Sequence, residues 1–265
     1  MTAGAPRRIR AIAWRHYIAL KRSPHRLFDV TLWPLIDITL FGTLAVYASR
    51  LANAGAIVVG YVLGGAVLWH VVYQSGIGLA TGFMEETWTR NLINVMVTPI
   101  SEFEYFAGVA LFTALKIVMG VGVAALGAFL AFSFSVGNVG WAIIPIAAVL
   151  LMVGWAIGMF VIGLVLRFGT GAEALAWGLL FAMMPLSGVF TPVANLPGAF
   201  QPVAKALPTT HAFIALRASI AGHGIAWAQL GLAAVLALVM LTVAGAFVVA
   251  MLKLFRRRGY VTRYA

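Results

Sequence analysis

Long apolar runs separated by short polar stretches dominate this chain from residue 30 onward. Six of them reach spanning length: 30–49, 56–83, 106–132, 140–166, 173–191 and 228–252. A bilayer core of about 30 Å takes about 20 helical residues, so each run can cross it. The runs are continuous rather than alternating, which argues against the strands of a membrane barrel. They predict an all-α integral membrane fold of six transmembrane helices, forming a single domain over 1–265. Ahead of the first run the pattern changes. Ile9, Ile12, Ala13, Tyr17 and Leu20 recur at helical steps with Arg and Lys between them. That stripe predicts an N-terminal amphipathic helix over 7–22, lying in the cytoplasmic interface. A disordered basic tail that only fixes topology is the plainer alternative.

Composition points the same way. The chain is 63% hydrophobic and 9% charged, with a mean hydropathy of +1.01. A soluble domain carries about 25% charged residues, so polar surface here is too scarce to cover a globule in water. The chain has no cysteine, which excludes disulfides and thiolate metal sites. His16, His25, His70, His211 and His223 show no metal-ligand spacing, and no metal is expected. The basic N-terminus lacks the compact apolar core of a cleavable signal peptide.

Charge sets the orientation. Arg7, Arg8, Arg10, Arg15, Lys21, Arg22 and Arg26 precede the first run, and Lys253, Arg256, Arg257, Arg258 and Arg263 follow the last. With Arg90 and Arg167, fourteen basic residues stand on one side, against Arg50, Lys205 and Arg217 on the other. The positive-inside rule puts both termini in the cytoplasm of a cell (inner) membrane, which requires an even number of crossings. The basic patches flank spans, where topology and anionic lipid explain them, so no nucleic-acid partner is expected.

Four of the seven acidic residues lie in one short stretch, 85–104, reading EETWTRNLINVMVTPISEFE. Acid is not needed there for insertion, and an anionic leaflet would repel it. Within it, TWTRNLINVMV can form a short amphipathic helix whose apolar face includes Leu92, Ile93, Val95 and Met96. Thr98-Pro99 ends that helix, because the residue before proline is pushed out of the helical region. A short apolar helix flanked by carboxylates suits the groove of a partner protein; a solvated loop is the alternative. No Gly-x-x-x-x-Gly-Lys-Ser/Thr occurs, so the chain has no P-loop for nucleotide phosphates.

A second distinctive stretch follows the fifth run: MMPLSGVFTPVANLPGAFQPVAKALPTTHAFIALR. Its Ser187-Gly188-x-Phe190-x-Pro192, Leu196-Pro197, Leu207-Pro208 and Arg217 come in an order similar to that of type-2 ABC exporter permeases. The loop EETWTRNLINVMVTPI resembles the cytoplasmic loop of the same family, in which acid precedes a short helix ending in Thr-Pro. The basic N-terminus and the six-span layout also agree, so the resemblance covers nearly the whole chain.

The resemblance implies a permease subunit with no catalytic residues of its own. A second copy would complete the pathway, and two ATP-binding subunits would carry ATP and Mg. Glu85, Glu86, Trp88, Arg90, Asn91, Leu92, Thr98 and Pro99 would form the cytoplasmic coupling helix and its flanks. Residues 191–227 would form an outer re-entrant helical hairpin bending at Pro208-Thr209-Thr210. Ser187, Gly188, Phe190, Pro192, Pro208 and Arg217 would close the outer gate; a surface loop with headgroup contacts from His211 and Arg217 is the alternative.

The ionisable residues at membrane depth are Asp37 and Lys116 and, near the cytoplasmic ends of the spans, Asp29 and Glu173. Such groups face a bundle interior or water. Asp37 either satisfies backbone donors near Pro34 or marks a polar point on a pathway or subunit interface, and a pairing with Lys116 is open. The spans hold few Ser, Asn or Gln, and the Trp residues read as an interface belt or lipid-facing positions. That lining suggests a lipophilic or amphiphilic cargo, with membrane lipids around it. Three alternatives stay open: polysaccharide or lipid-linked glycan export, a proton-coupled secondary transporter, and a membrane scaffold that transports nothing.

Overall fold

The computed structural model describes residues 4–51, 55–88, 94 and 97–257. Among them the chain is helical, with no strand: α1 (Ala5–Lys21), α2 (Pro24–Leu51), α3 (Gly55–Trp88), α4 (Glu102–Phe132), α5 (Ile143–Phe168), α6 (Ala174–Leu186), α7 (Gln201–Ala206), α8 (Pro208–Ile220) and α9 (Trp227–Arg257). Short 3-10 turns at Val136–Ala142, Thr170–Glu173 and Val193–Asn195 join them. Helices satisfy every backbone group internally, which a lipid environment demands. Their hydroxyls do the same: Ser75 donates to the Val71 carbonyl at 2.6 Å, and Thr113 to that of Val109 at 2.8 Å.

Among the described residues, five helices are long and apolar enough to cross a membrane: Pro24–Leu51, Ile57–Glu86, Glu102–Phe132, Val139–Phe168 and Trp227–Phe255. The sixth expected span, 173–191, contains only the 13 residues of α6. At 1.5 Å per residue α6 covers about 20 Å, two-thirds of a bilayer core. It stops early because Pro185 cannot donate to its last turn and Gly188 turns the chain at a φ of 68°.

α3 is the central helix. It packs on α2, α4 and α5 and is buried along most of its length, whereas α2 and α9 are buried along little of theirs. Its closest neighbour is α5, where Gly154 and Gly158 are four residues apart and face Gly76. A Cβ on Gly158 would sit 2.7 Å from the Gly76 carbonyl oxygen, and one on Gly154 2.6 Å from that of Val72. Small residues at this spacing let two backbones touch, which is how membrane helices gain van der Waals contact without a hydrophobic drive between them. The same GxxxG pattern is absent at Gly120, Gly122 and Gly127. Val72, Ile146, Leu150, Val153 and Ile157 fill the space around this crossing.

α1 lies along α4 with Ile12, His16 and Leu20 buried. A Cβ on Gly108 would lie 2.6 Å from Ile12 Cβ and 2.9 Å from the Ile9 carbonyl oxygen. The absence of a side chain at Gly108 thus sets how closely α1 approaches.

Candidate functional site

α4 begins with a capping box. The Glu104 amide donates to Ser101 Oγ at 3.2 Å, and the Ser101 amide donates to the Glu104 carboxylate at 2.9 Å. The same carboxylate takes two bonds from Arg8 on α1, from Nε at 3.0 Å and Nη2 at 2.6 Å. This forked pairing is the strong form of an arginine–carboxylate contact. The bond to Glu104 holds the Arg8 guanidinium above its usual pKa.

Glu85 and Glu86 do not lie in the loop; α3 runs past them to Trp88. Two carboxylates at a helix C-terminus meet the negative end of its dipole, so they need cations. Glu86 is fully buried and bonds Arg15 of α1. Glu85 lies 3.1 Å from Arg26 Nη1, in the first turn of α2, and 3.7 Å from His16 Nδ1. Burial pulls the Arg15 pKa down, but the hydrogen bond to Glu86 and its field outweigh that and raise it. Tyr105 Oη adds a bond of 3.2 Å to the Gly82 carbonyl. Both feet of the acidic loop are therefore tied to the N-terminal arm of the same chain. Carboxylates expected to wait for a partner protein already have cations within it.

Thr98 and Pro99 are exposed in the turn that leads into α4. Arg90, Asn91 and Leu92 lie outside the described residues, as do Ile93, Val95 and Met96.

Asp37 and Lys116 are not joined. Asp37 Oδ2 lies 3.5 Å from His70 Nε2 on α3. His70, Tyr73 and Gln74 share one face of α3, and their buried ring nitrogens, hydroxyl and amide make no hydrogen bond among the described residues. Lys116 is buried nearer the acidic end, where Asp29 and Glu85 act on it. His70 and Asp29 are polar partners that sequence reading did not pair with these two.

The far end of α3 carries the other motif. A Cβ on Gly65 would overlap the Val189 carbonyl, so the turn after α6 sits directly on the α3 backbone. Ser187 Oγ and Thr209 Oγ1 are 2.7 Å apart, and Thr210 Oγ1 donates to the Ala204 carbonyl at 2.6 Å. Arg217 donates to the Gly188 carbonyl, and the Phe190 ring stacks on Phe41 at 4.1 Å. Pro192 opens the Val193–Asn195 turn. The bend between α7 and α8 falls at Leu207, with Pro208 inside the first turn of α8. His211, within 2.7 Å of Gln229 and 2.9 Å of the Lys205 carbonyl, ties α8 to α9. Glu85 stands twenty residues beyond Gly65 on α3, about 30 Å at 1.5 Å per residue. One helix thus carries both motif clusters, one at each end.

A family model described as ABC-2 type transporter matches residues 7–221. The chain belongs to this family. It is a multi-pass membrane protein and the transmembrane subunit of an ABC transporter, which decides between an ABC permease and a proton-coupled carrier. The match runs from α1 through α8 and takes in both ends of α3. Comparison with curated protein sequences gave no match.

Proposed function

We propose that this permease is half of the membrane pathway of an ATP-driven exporter, with a second copy as the other half. Two ATP-binding subunits, carrying ATP and Mg, dock on the segment between α3 and α4. The observation that carries this reading is the set of arginine pairs framing that segment: Arg15–Glu86 and Arg26–Glu85 at one foot, Arg8–Glu104 at the other. Glu86 is fully buried, and a buried carboxylate parted from its cation is left uncompensated, so the pair resists separation. A push on the loop therefore moves α1 and the start of α2 with it instead of dissipating in a slack hinge. α3 and α2 then carry the movement toward the outer turn, where Arg217 and Thr209 hold the element that closes the pathway.

In this reading both termini are cytoplasmic in a cell inner membrane, α1 lies in the interface, and there are six crossings. α6 makes the short one, completed by its flanking turns, with α7 and α8 as a hairpin dipping into the outer leaflet. The exposed apolar faces of α2 and α6, including Trp33, Leu40, Leu44 and Phe181, receive the second copy. The thin supply of polar side chains at depth suits a lipophilic or amphiphilic cargo moved by alternating access.

Because the chain has no cysteine, single-cysteine variants give an unambiguous test. Thr98→Cys should cross-link to the ATP-binding subunit in a two-plus-two complex, and Trp227→Cys should react with an impermeant maleimide from outside. Labelling of Thr98→Cys from outside the cell, or no ATP-binding subunit captured at all, would overturn the reading.

A further inference from the structure

We propose that the permease binds a zwitterionic headgroup, an ammonium a few bonds from a phosphate or carboxylate, in a cavity beside its acidic end. The proposal deepens the export reading and rests on it for the step from bound ligand to cargo. The cavity measures about 290 Å³ and lies among α1, α2, α3, α4 and α6. Its ionisable residues are His16 on α1, His25, Arg26 and Asp29 on α2, Glu85 on α3 and Lys116 on α4.

These groups are not equally satisfied. Arg26 and Glu85 neutralise each other at 3.1 Å, and His16 stands 3.7 Å from the same carboxylate. His25 Nδ1 is 3.1 Å from the Ser23 hydroxyl. Lys116 and Asp29 remain. Neither has a hydrogen bond or an ion pair within 4 Å among the described residues, although Asp29 acts electrostatically on Lys116 across the space. Lys116 is 8% exposed, and an ammonium taken so far out of water without a counter-ion in contact is costly. The protein thus holds a separated positive and negative charge on the walls of one cavity.

The charge pattern selects the ligand. A simple anion would meet Lys116 but face Asp29 and Glu85; a simple cation would meet Asp29 but face Lys116 and Arg26. A group carrying both charges meets each with its complement. Trp177 supplies a third wall, and a ring face attracts an ammonium. Leu20, Ile77 and Phe112 add apolar surface to the lining, suited to the first carbons of a tail, and the Thr81 hydroxyl beside them already donates to the Ile77 carbonyl at 2.7 Å. The Tyr73 ring lies 5.8 Å from Trp177 and 6.1 Å from His70, so polar side chains continue from the cavity toward Asp37.

Calorimetric titration of the full-length permease in maltoside micelles tests this with three probes: dihexanoyl-phosphatidylethanolamine, free phosphoethanolamine and anionic dihexanoyl-phosphatidylglycerol. The ethanolamine lipid should bind at least about tenfold more tightly than the glycerol lipid, the size of one charge-assisted hydrogen bond. Lys116→Met and Asp29→Asn should each weaken it about tenfold or more, and Lys116→Arg should retain it. Free phosphoethanolamine binding as tightly as the lipid makes the soluble group the ligand; binding by the lipid alone makes it an amphiphile. Equal affinity for the two lipids, or no binding of any probe by the wild type, overturns the proposal. The wild-type preference needs no variant, so a variant that fails to fold leaves the test intact. The titration also omits the ATP-binding subunits, so its failure is separable from failure of the cross-linking experiment.

Discussion

Removing Arg15 should harm the permease more than neutralising its partner Glu86. The Glu86 side chain is 0% exposed and that of Arg15 50%. In Arg15→Met a carboxylate stays buried without its guanidinium. Breaking a fully buried pair costs about 3–5 kcal/mol, but water reaches one side of this one, which screens part of the loss. An expected cost of about 1–3 kcal/mol follows. In Glu86→Gln the amide keeps the shape of the carboxylate and Arg15 turns toward water, for about 1 kcal/mol or less. The double variant removes both charges and should resemble Glu86→Gln, well below the sum of the singles. At about 2–4 °C per kcal/mol for a domain of this size, Arg15→Met should lower the apparent melting temperature by about 2–12 °C. Tryptophan fluorescence in nanodiscs would read it. Equal losses for the two single variants with additive behaviour in the double would refute the buried pair as the anchor of α1.

Other predictions follow from the same contacts. Gly108→Ala should push α1 off α4, because the new methyl meets the Ile9 carbonyl; overpacking costs about 1–3 kcal/mol, read as faster proteolysis of the N-terminal arm. Gly158→Leu should prevent stable folding, since the side chain would enter the α3 backbone at Gly76; a monodisperse, fully folded variant by size exclusion would contradict that. Thr209→Val removes the bond between Thr209 and Ser187, while Ser187 still donates to the Met183 carbonyl at 2.6 Å; it should cost about 0.5–1.5 kcal/mol, with faster maleimide labelling of a cysteine placed at Phe190. Arg217→Met removes the single hydrogen bond to the Gly188 carbonyl and should lower the melting temperature, while Arg217→Lys, which keeps a donor on α8, should recover part of the loss.

The apolar runs located the long helices well, because hydropathy reports directly where lipid or core must be met. Their ends were less legible. Apolarity stops at Met84 while the α3 helix continues to Trp88, and that difference moved Glu85 and Glu86 out of the loop. Hydropathy marks where a chain leaves the membrane, not where its hydrogen-bond ladder ends. The short α6 was foreshadowed by Pro185, Gly188 and Pro192 inside an otherwise apolar run. The Ser101–Glu104 capping box and the Gly154–Gly158 pair were also open to inspection, each being a fixed local spacing. Arg8 and Glu104 were not, since they are 96 residues apart and only the packing of α1 on α4 brings them together. Trp69, read as an interface residue, is buried against Phe213 with ring centroids 6.4 Å apart. Tryptophan suits a core and an interface equally well, so its identity alone does not choose. The outer motif was legible as a set of residues, while its hydrogen bonds from Arg217, Thr209 and Thr210 required the fold.

In the proposed mechanism the arginine pairs at the feet of the α3–α4 segment carry movement from an ATP-binding subunit into the membrane. ATP hydrolysis by the reconstituted two-plus-two complex tests it most directly, with wild type compared with an Arg8→Met/Arg15→Met/Arg26→Met variant in nanodiscs. Both should recruit the ATP-binding subunits; the wild type should change their turnover, and the variant should leave turnover at the level of the free subunits. A variant that regulates hydrolysis as the wild type does would contradict it.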